Sequence, residues 1–239
     1  MQLFYCPNLE GPSATLDSEE SRHAVRVLRM SVGSEIWVAD GRATLCRATI
    51  AAADPTACLI TIDQTLPQQP RPALTLAVAP TKNPSRMEWM VEKTVETGLA
   101  ALVLLQCDHS ERTSAKTDRL GRIALSAMKQ SLHTQLPLIE GPLPFGQWLA
   151  TLPPQEPHHL RLIAHCDSQT PRRPIATALA PGLDATILIG PEGDFSTTEI
   201  EAALGAGFQP VSLGHARLRT ETAALYAACA FNIANDSQL

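Results

Sequence analysis

Two stretches late in the chain carry residues spaced for chemistry: Ile189-Gly190-Pro191-Glu192-Gly193-Asp194-Phe195-Ser196, and Leu213-Gly214-His215-Ala216-Arg217-Leu218-Arg219-Thr220-Glu221-Thr222-Ala223. Each runs from a short apolar segment through a glycine-bearing loop into a helix start. In α/β proteins small-molecule sites form at the carboxyl ends of strands, and glycine there lets a ligand approach the backbone closely. Ser196 and Glu199 read as a capping box, so helix initiation accounts for those two. It does not account for Glu192 held between two glycines. In the second loop Thr220 reads as an N-cap, and Glu221 is favoured near a helix N-terminus by the dipole. Arg219, just before that helix, is not favoured there, which points to another task. No Walker A lysine motif and no G-x-G-x-x-G opens a helix, which argues against nucleotide hydrolysis and ordinary dinucleotide binding.

The elements that must hold these loops follow from periodicity. After residue 72, strands and helices alternate. Leu74–Ala79 reads as a strand, and Asn83-Pro84 gives an N-cap and a proline at the first helical position. Met87, Met90, Val91, Val95 and Leu99 form one apolar face on that helix. Strands are expected at Ala101–Leu105, Leu160–Ala164, Thr186–Ile189 and Pro210–Leu213, with helices at Asp118–Leu132, Phe145–Leu152, Ser196–Ala206 and Thr220–Ala234. This βαβ series implies a mainly parallel sheet. Before residue 67 the pattern is mostly short strands: Leu3–Tyr5, Glu35–Ala39, Ala43–Ile50 and Ala57–Ile62, with Asp40-Gly41 as a hairpin turn. One helix, Glu19–Met30, starts at Asp17 as N-cap with Glu20 three residues on. Short strands around one helix suggest a small β-barrel. Three prolines between Pro67 and Pro72 suit an extended linker, dividing the chain into domains 1–70 and 71–239.

Composition narrows the class. The chain of 239 residues is 44% hydrophobic, enough for a sizeable core, and its net charge of −5 excludes a protein coated in positive charge but not a local basic patch. Arg22, Arg26 and Arg29 fall at spacings of four and three, so one helical face would present all three; a solvated face is the plainer alternative. Lys82 and Arg86 bracket a helix N-terminus, where the dipole disfavours cations, and phosphate contact would explain that cost. Arg112 and Arg122 extend the patch. No basic leader, no long apolar run and no paired cysteines point to a cytoplasmic protein without signal peptide, membrane span, disulfide framework or metal site. Cys107, Cys166 and Cys229 lie in or beside apolar runs and read as buried thiols. His165-Cys166-Asp167 follows a strand and could line the same pocket as the two loops. His158-His159 reads as a surface loop, and His215 as solvent-facing. The final helix, from Ala223 to Ala234, has almost no polar face and must be covered on more than one side.

The two loops resemble the signature of the RsmE family of ribosomal RNA methyltransferases, a GPEGG-F-S loop and an LG-x-x-I-LR-x-ETA segment. Lys82, Arg86, Glu88 and Lys93 fit the family's first α/β unit, Ser110-Glu111-Arg112 its next loop, and Lys129-Gln130-Ser131 the helix after it. His23-Ala24-Val25-Arg26-Val27-Leu28-Arg29 fits its N-terminal domain. Asp194 departs from the second glycine of the motif, and Arg217 from an apolar residue. A glycine at 194 would tolerate a positive φ, so Asp194 raises the question of the loop's conformation.

The resemblance implies an N-terminal PUA-like β-barrel followed by a SPOUT α/β domain whose chain threads a trefoil knot. It implies transfer of a methyl group from S-adenosylmethionine to N3 of one uridine in 16S ribosomal RNA, within the 30S subunit, without metal. The cofactor would meet Ile189, Gly190, Pro191, Glu192, Gly193, Leu213, Gly214, Leu218, Thr222, Ala223 and His165. Arg219 and Glu221 would be catalytic, Arg219 by stabilising charge on a uracil carbonyl. Arg22, Arg26, Arg29, Lys82, Arg86 and Arg112 would hold RNA. A homodimer would form on the final helix. A non-catalytic RNA-binding protein with the same fold, and an α/β enzyme using another adenine nucleotide, are the alternatives.

Overall fold

The computed structural model describes residues 2–112, 114–167 and 170–236. Its contacts divide the chain into two compact units, one holding the chain up to Pro70 together with Leu125–Leu136, the other Arg71–Ala124 and the chain from Pro137 onward.

The first unit is a five-stranded sheet with strand order β1-β3-β4-β5-β2. Its strands are β1 (Leu3–Tyr5), β2 (Ser13–Thr15), β3 (Glu35–Ala39), β4 (Leu45–Ala52) and β5 (Leu59–Leu66). All pairings are antiparallel except β1 with β3. Phe4, Ala14, Ile36, Val38, Ala48, Ile50 and Ile60, from all five strands, meet Ala24 in one core. A single core reached from every strand is what a curled, barrel-like sheet provides. β2 escaped the sequence reading because three residues are too few for an alternation to register.

The helix of this unit differs from expectation. Asp17 does cap it, its Oδ1 accepting from the amides of Glu19 (2.9 Å) and Glu20 (2.8 Å). Yet α1 spans only Ser18–Arg22, and the chain widens into a π-helical turn over His23–Val27. Arg29 follows with φ 56°, outside any helix. The three arginines therefore do not share one α-helical face, although all three side chains are exposed. Glu20 closes no capping box; its buried carboxylate instead receives the ammonium of Lys129.

The second unit is a seven-stranded parallel sheet in the order β10-β12-β9-β11-β6-β7-β8. Its strands are β6 (Leu74–Val78), β7 (Ala101–Gln106), β8 (Leu138–Pro144), β9 (His159–Ala164), β10 (Arg173–Pro174), β11 (Asp184–Ile189) and β12 (Gln209–Ser212). The helices are α2 (Pro84–Glu96), α3 (Thr117–Gln130), α4 (Phe145–Thr151), α5 (Ile175–Ala178), α6 (Thr197–Gly205) and α7 (Thr220–Asp236). Asn83 caps α2 through Ser85 N at 2.9 Å. Ser196 and Glu199 form the capping box of α6. β8 and β10 were hidden by prolines, which argue against a strand when met in sequence.

Two smaller expectations change. His159 is not a surface loop residue: it opens β9, and its Nε2 lies 2.7 Å from the Thr186 hydroxyl. All six cysteines are free, but Cys166 is exposed and Cys229 only half-buried, while Cys107 is buried. Among the described residues no helix is long and apolar enough to cross a membrane, and no group of three His, Cys, Asp or Glu side chains is placed to hold a metal ion.

Candidate active site

Three adjacent parallel strands end side by side. Ala164 of β9 pairs with Ile189 of β11 on one side and with Val211 of β12 on the other. The residues that follow, His165, the Gly190 loop and the Leu213 loop, therefore leave the same edge of the sheet. This is the edge where open parallel sheets hold ligands. Of the sequence-predicted cofactor residues, Ile189 and Pro191 are buried, Gly190 half-buried, and Glu192 and Gly193 exposed. Leu213 and Leu218 are half-buried, Gly214 and Thr222 exposed, Ala223 buried.

Specific bonds tie the loops together. The Thr220 hydroxyl donates to Gly190 O at 3.0 Å, joining the start of α7 to the glycine loop. Thr220 is itself the first helical residue, so this bond replaces the capping role expected of it. Gly214 adopts φ 105°, a conformation that favours glycine, immediately after the last strand of the site. A Cβ on Gly193 would lie 3.0 Å from His109 Cβ, so the glycine permits a contact that a side chain would break.

Asp194 answers the question its sequence raised. It takes φ 66°, the left-handed conformation a glycine would adopt and that Asp tolerates better than most residues. Its carboxylate then accepts from Cys166 N at 2.7 Å and Phe195 N at 2.9 Å. The loop after β9 is thereby fastened to the loop after β11, a bond that glycine could not make.

His165 is 4% exposed, and neither ring nitrogen has a hydrogen-bond partner. Burial holds its pKa below the ordinary value, and the neighbouring positive charge of Arg172 acts in the same direction. Arg172 also donates to the carbonyl of His165. A neutral buried imidazole with two unused polar atoms is rare in native proteins and invites an explanation such as a ligand.

The cationic residues have definite partners. Arg86 Nε lies 3.5 Å from Oε1 of Glu221, a carboxylate only 7% exposed in the first turn of α7. Lys82 pairs with Glu111 at 2.8 Å, and its amide donates to Glu192 at 3.4 Å. Arg112 donates to Lys82 O at 3.1 Å. Arg219 is exposed. Arg22, Arg26 and Arg29 belong to the first unit and lie on its surface.

Sequence reasoning missed the loop after β7 as a brace. His109 Nδ1 is 3.0 Å from Asp194 O. The Ser196 hydroxyl donates to Asp108 at 2.6 Å, and Asp108 N donates to Glu199 at 2.9 Å. The only available signal was that Asp108 and His109 follow an apolar strand and precede Ser110-Glu111-Arg112.

Comparisons with known proteins agree with this geometry. Residues 67–232 match the model of an RNA methyltransferase domain, and residues 16–63 that of an RNA methyltransferase PUA domain. The chain is 30% identical over 223 residues to the ribosomal RNA small subunit methyltransferase E of Synechocystis sp., covering 92% of this chain and 73% of that one. A crystal structure of a probable rRNA-methyltransferase from Porphyromonas gingivalis is 42% identical and superposes with a TM-score of 0.90 over 100% of both chains. A ribosomal RNA small subunit methyltransferase E from Neisseria gonorrhoeae, solved bound to S-adenosyl methionine, is 25% identical with a TM-score of 0.81 over 98% of each chain. The site's loops and the extent of the match together establish that this chain belongs to the RNA methyltransferase family.

Proposed function

We propose that this protein transfers a methyl group from S-adenosylmethionine to N3 of one uridine in small-subunit ribosomal RNA. The observation that carries the reading is the meeting of the two signature loops, through Thr220 and Gly190, beside the buried and unpartnered imidazole of His165. The residues present fit the cofactor: a positive-φ glycine at 214 with open space beside it, backbone groups at three adjacent strand ends, and a neutral histidine able both to donate and to accept.

When bound, S-adenosylmethionine would supply an electrophilic methyl group on a sulfonium sulfur to uracil N3, leaving the neutral thioether, and the N3 proton would pass to solvent. The chain's part is positioning, which sets acceptor and methyl in line. Ile189 to Gly193, Leu213, Gly214, Leu218, Thr222, Ala223 and His165 hold the donor. Arg219 stabilises negative charge developing on a uracil oxygen. Glu221 fixes Arg86 through their ion pair and so acts as a positioning residue for the RNA-facing side of the site.

Residues 1–70 grip RNA, with Arg22, Arg26 and Arg29 on phosphates, and residues 71–239 carry the chemistry, threaded as a trefoil knot. Lys82, Arg86 and Arg112 hold RNA near the reacting base. The enzyme works in the cytoplasm as a homodimer on the 16S RNA of the 30S subunit. Calorimetry tests the cofactor: S-adenosylmethionine binds while ATP and NAD do not, and the reverse preference refutes the reading. For RNA, Arg26→Ala lowers the salt slope of binding by about one; an unaltered slope makes Arg26 a solvated charge only.

A further inference from the structure

A pocket lies beside these loops rather than among them. It occupies about 270 Å³, a little under the roughly 300 Å³ at which small-molecule sites usually begin. Pro80, Pro84, Met87 and Leu120 give it apolar walls, and Arg112, Lys116 and Arg119 stand around it. Met87 and Leu120 are buried. Glu88, its one acidic lining residue, is already neutralised by Arg119 at 2.7 Å. The field at the mouth is therefore set by Arg112 and Lys116, on a protein whose net charge is −5.

Arg112 is held open for this role. Its Nε and Nη1 donate to Ser114 O and Lys82 O, at 2.9 and 3.1 Å, which fixes the guanidinium plane by backbone carbonyls and not by an opposing charge. The ion keeps its full charge for an external anion. Apolar walls able to cover the face of a ring, with a fixed guanidinium and an exposed ammonium at the rim, match one base and its phosphate.

The pocket's place says which base. Its walls include the loop after β6, and β6 is the direct neighbour of β11. Lys82, the residue after Thr81 of the pocket wall, donates its amide to Glu192 of the glycine loop. The pocket wall and the glycine loop thus follow neighbouring parallel strands at the same edge of the sheet.

We infer that this pocket binds an unstacked base of the RNA substrate next to the base that is methylated, with its phosphate on Arg112 and Lys116. The inference rests on the methyltransferase reading for which RNA strand is involved. Its determinants, unlike those of the donor site, are Met87, Leu120, Arg112 and Lys116.

Ala115 lines the pocket, so Ala115→Trp fills it without touching the donor loops. The expected result is a KM for ribosomal RNA raised about tenfold, the loss of roughly one base stack, with kcat and S-adenosylmethionine affinity within twofold of wild type. Lys116→Ala should lower the salt slope of RNA binding by about one. Unchanged donor affinity certifies that each variant is folded. An Ala115→Trp enzyme with wild-type KM overturns the inference. A lost kcat with unchanged RNA affinity also overturns it, because the pocket would then hold the reacting base itself. Wild-type protein that transfers no methyl group would refute the activity and not the pocket, which the RNA affinity of Ala115→Trp still decides.

Discussion

The hydroxyl of Thr220 donates to the carbonyl of Gly190 at 3.0 Å, so the first residue of the last helix grips the glycine loop thirty positions earlier in the chain. Thr220 is buried, and without it the Gly190 carbonyl loses that partner. Gly190 is half-buried, so the cost is that of a lost hydrogen bond, about 0.5–1.5 kcal/mol. Thr220→Val should lose stability of that order in urea unfolding and weaken S-adenosylmethionine binding about tenfold, while Thr220→Ser keeps both. Equal affinity in Thr220→Val would show that the two loops hold their shape separately.

Gly193 makes a sharper test of the donor site. A β-branched side chain there collides with His109, whose Cβ would stand 3.0 Å from the new Cβ. His109 in turn holds Asp194 O at 3.0 Å, so displacing it disturbs the loop on both sides. Gly193→Val should bind the donor at least about tenfold more weakly. A folded variant with unaltered calorimetric affinity contradicts the placement of the cofactor.

His165 predicts a pH dependence. Its folded pKa lies below the ordinary value of about 6.5, chiefly through burial. The unfolded chain therefore takes up the proton more readily, and stability falls as pH drops below about 6.5 until the depressed folded value is passed. Above about 6.5 the full stability is present. Urea unfolding at pH 7.5 and pH 5.5 should show the loss in wild type, and His165→Leu should show less of it. An identical decline in both would assign the acid sensitivity to other groups.

Much of this arrangement was legible in the residues. Apolar runs located β6, β7, β9 and β11, because buried parallel strands read as largely continuous hydrophobic segments. The capping signals at Asn83 and Ser196 were local and held. What sequence could not show was pairing across distance. Asp194 looked like a flaw in the glycine motif, and only the fold brings Cys166 N to its carboxylate. Glu20 looked like half of a capping box because Lys129, 109 residues away, was not in view. The arginine triplet was placed on one face by assuming 3.6 residues per turn; the π-helical turn at His23–Val27 breaks that period.

The homodimer needs a test suited to the fold. Ala227, Ala228 and Phe231 are buried within the single chain, so charges there would damage folding as well as association. Tyr226 is 47% exposed on the same helix and makes a better probe. Sedimentation equilibrium at micromolar concentration should give a dimer for wild type and a monomer for Tyr226→Arg, with unchanged unfolding midpoint. A wild-type monomer that is active refutes the dimer.

The most direct measurement is methyl transfer from labelled S-adenosylmethionine to 30S particles lacking the modification, followed by digestion and nucleoside mapping. The account predicts label in 3-methyluridine at a single position of the 16S RNA, abolished or strongly reduced in Arg219→Ala with donor affinity retained. Label in another nucleoside, or none with a donor-binding wild-type protein, would contradict it.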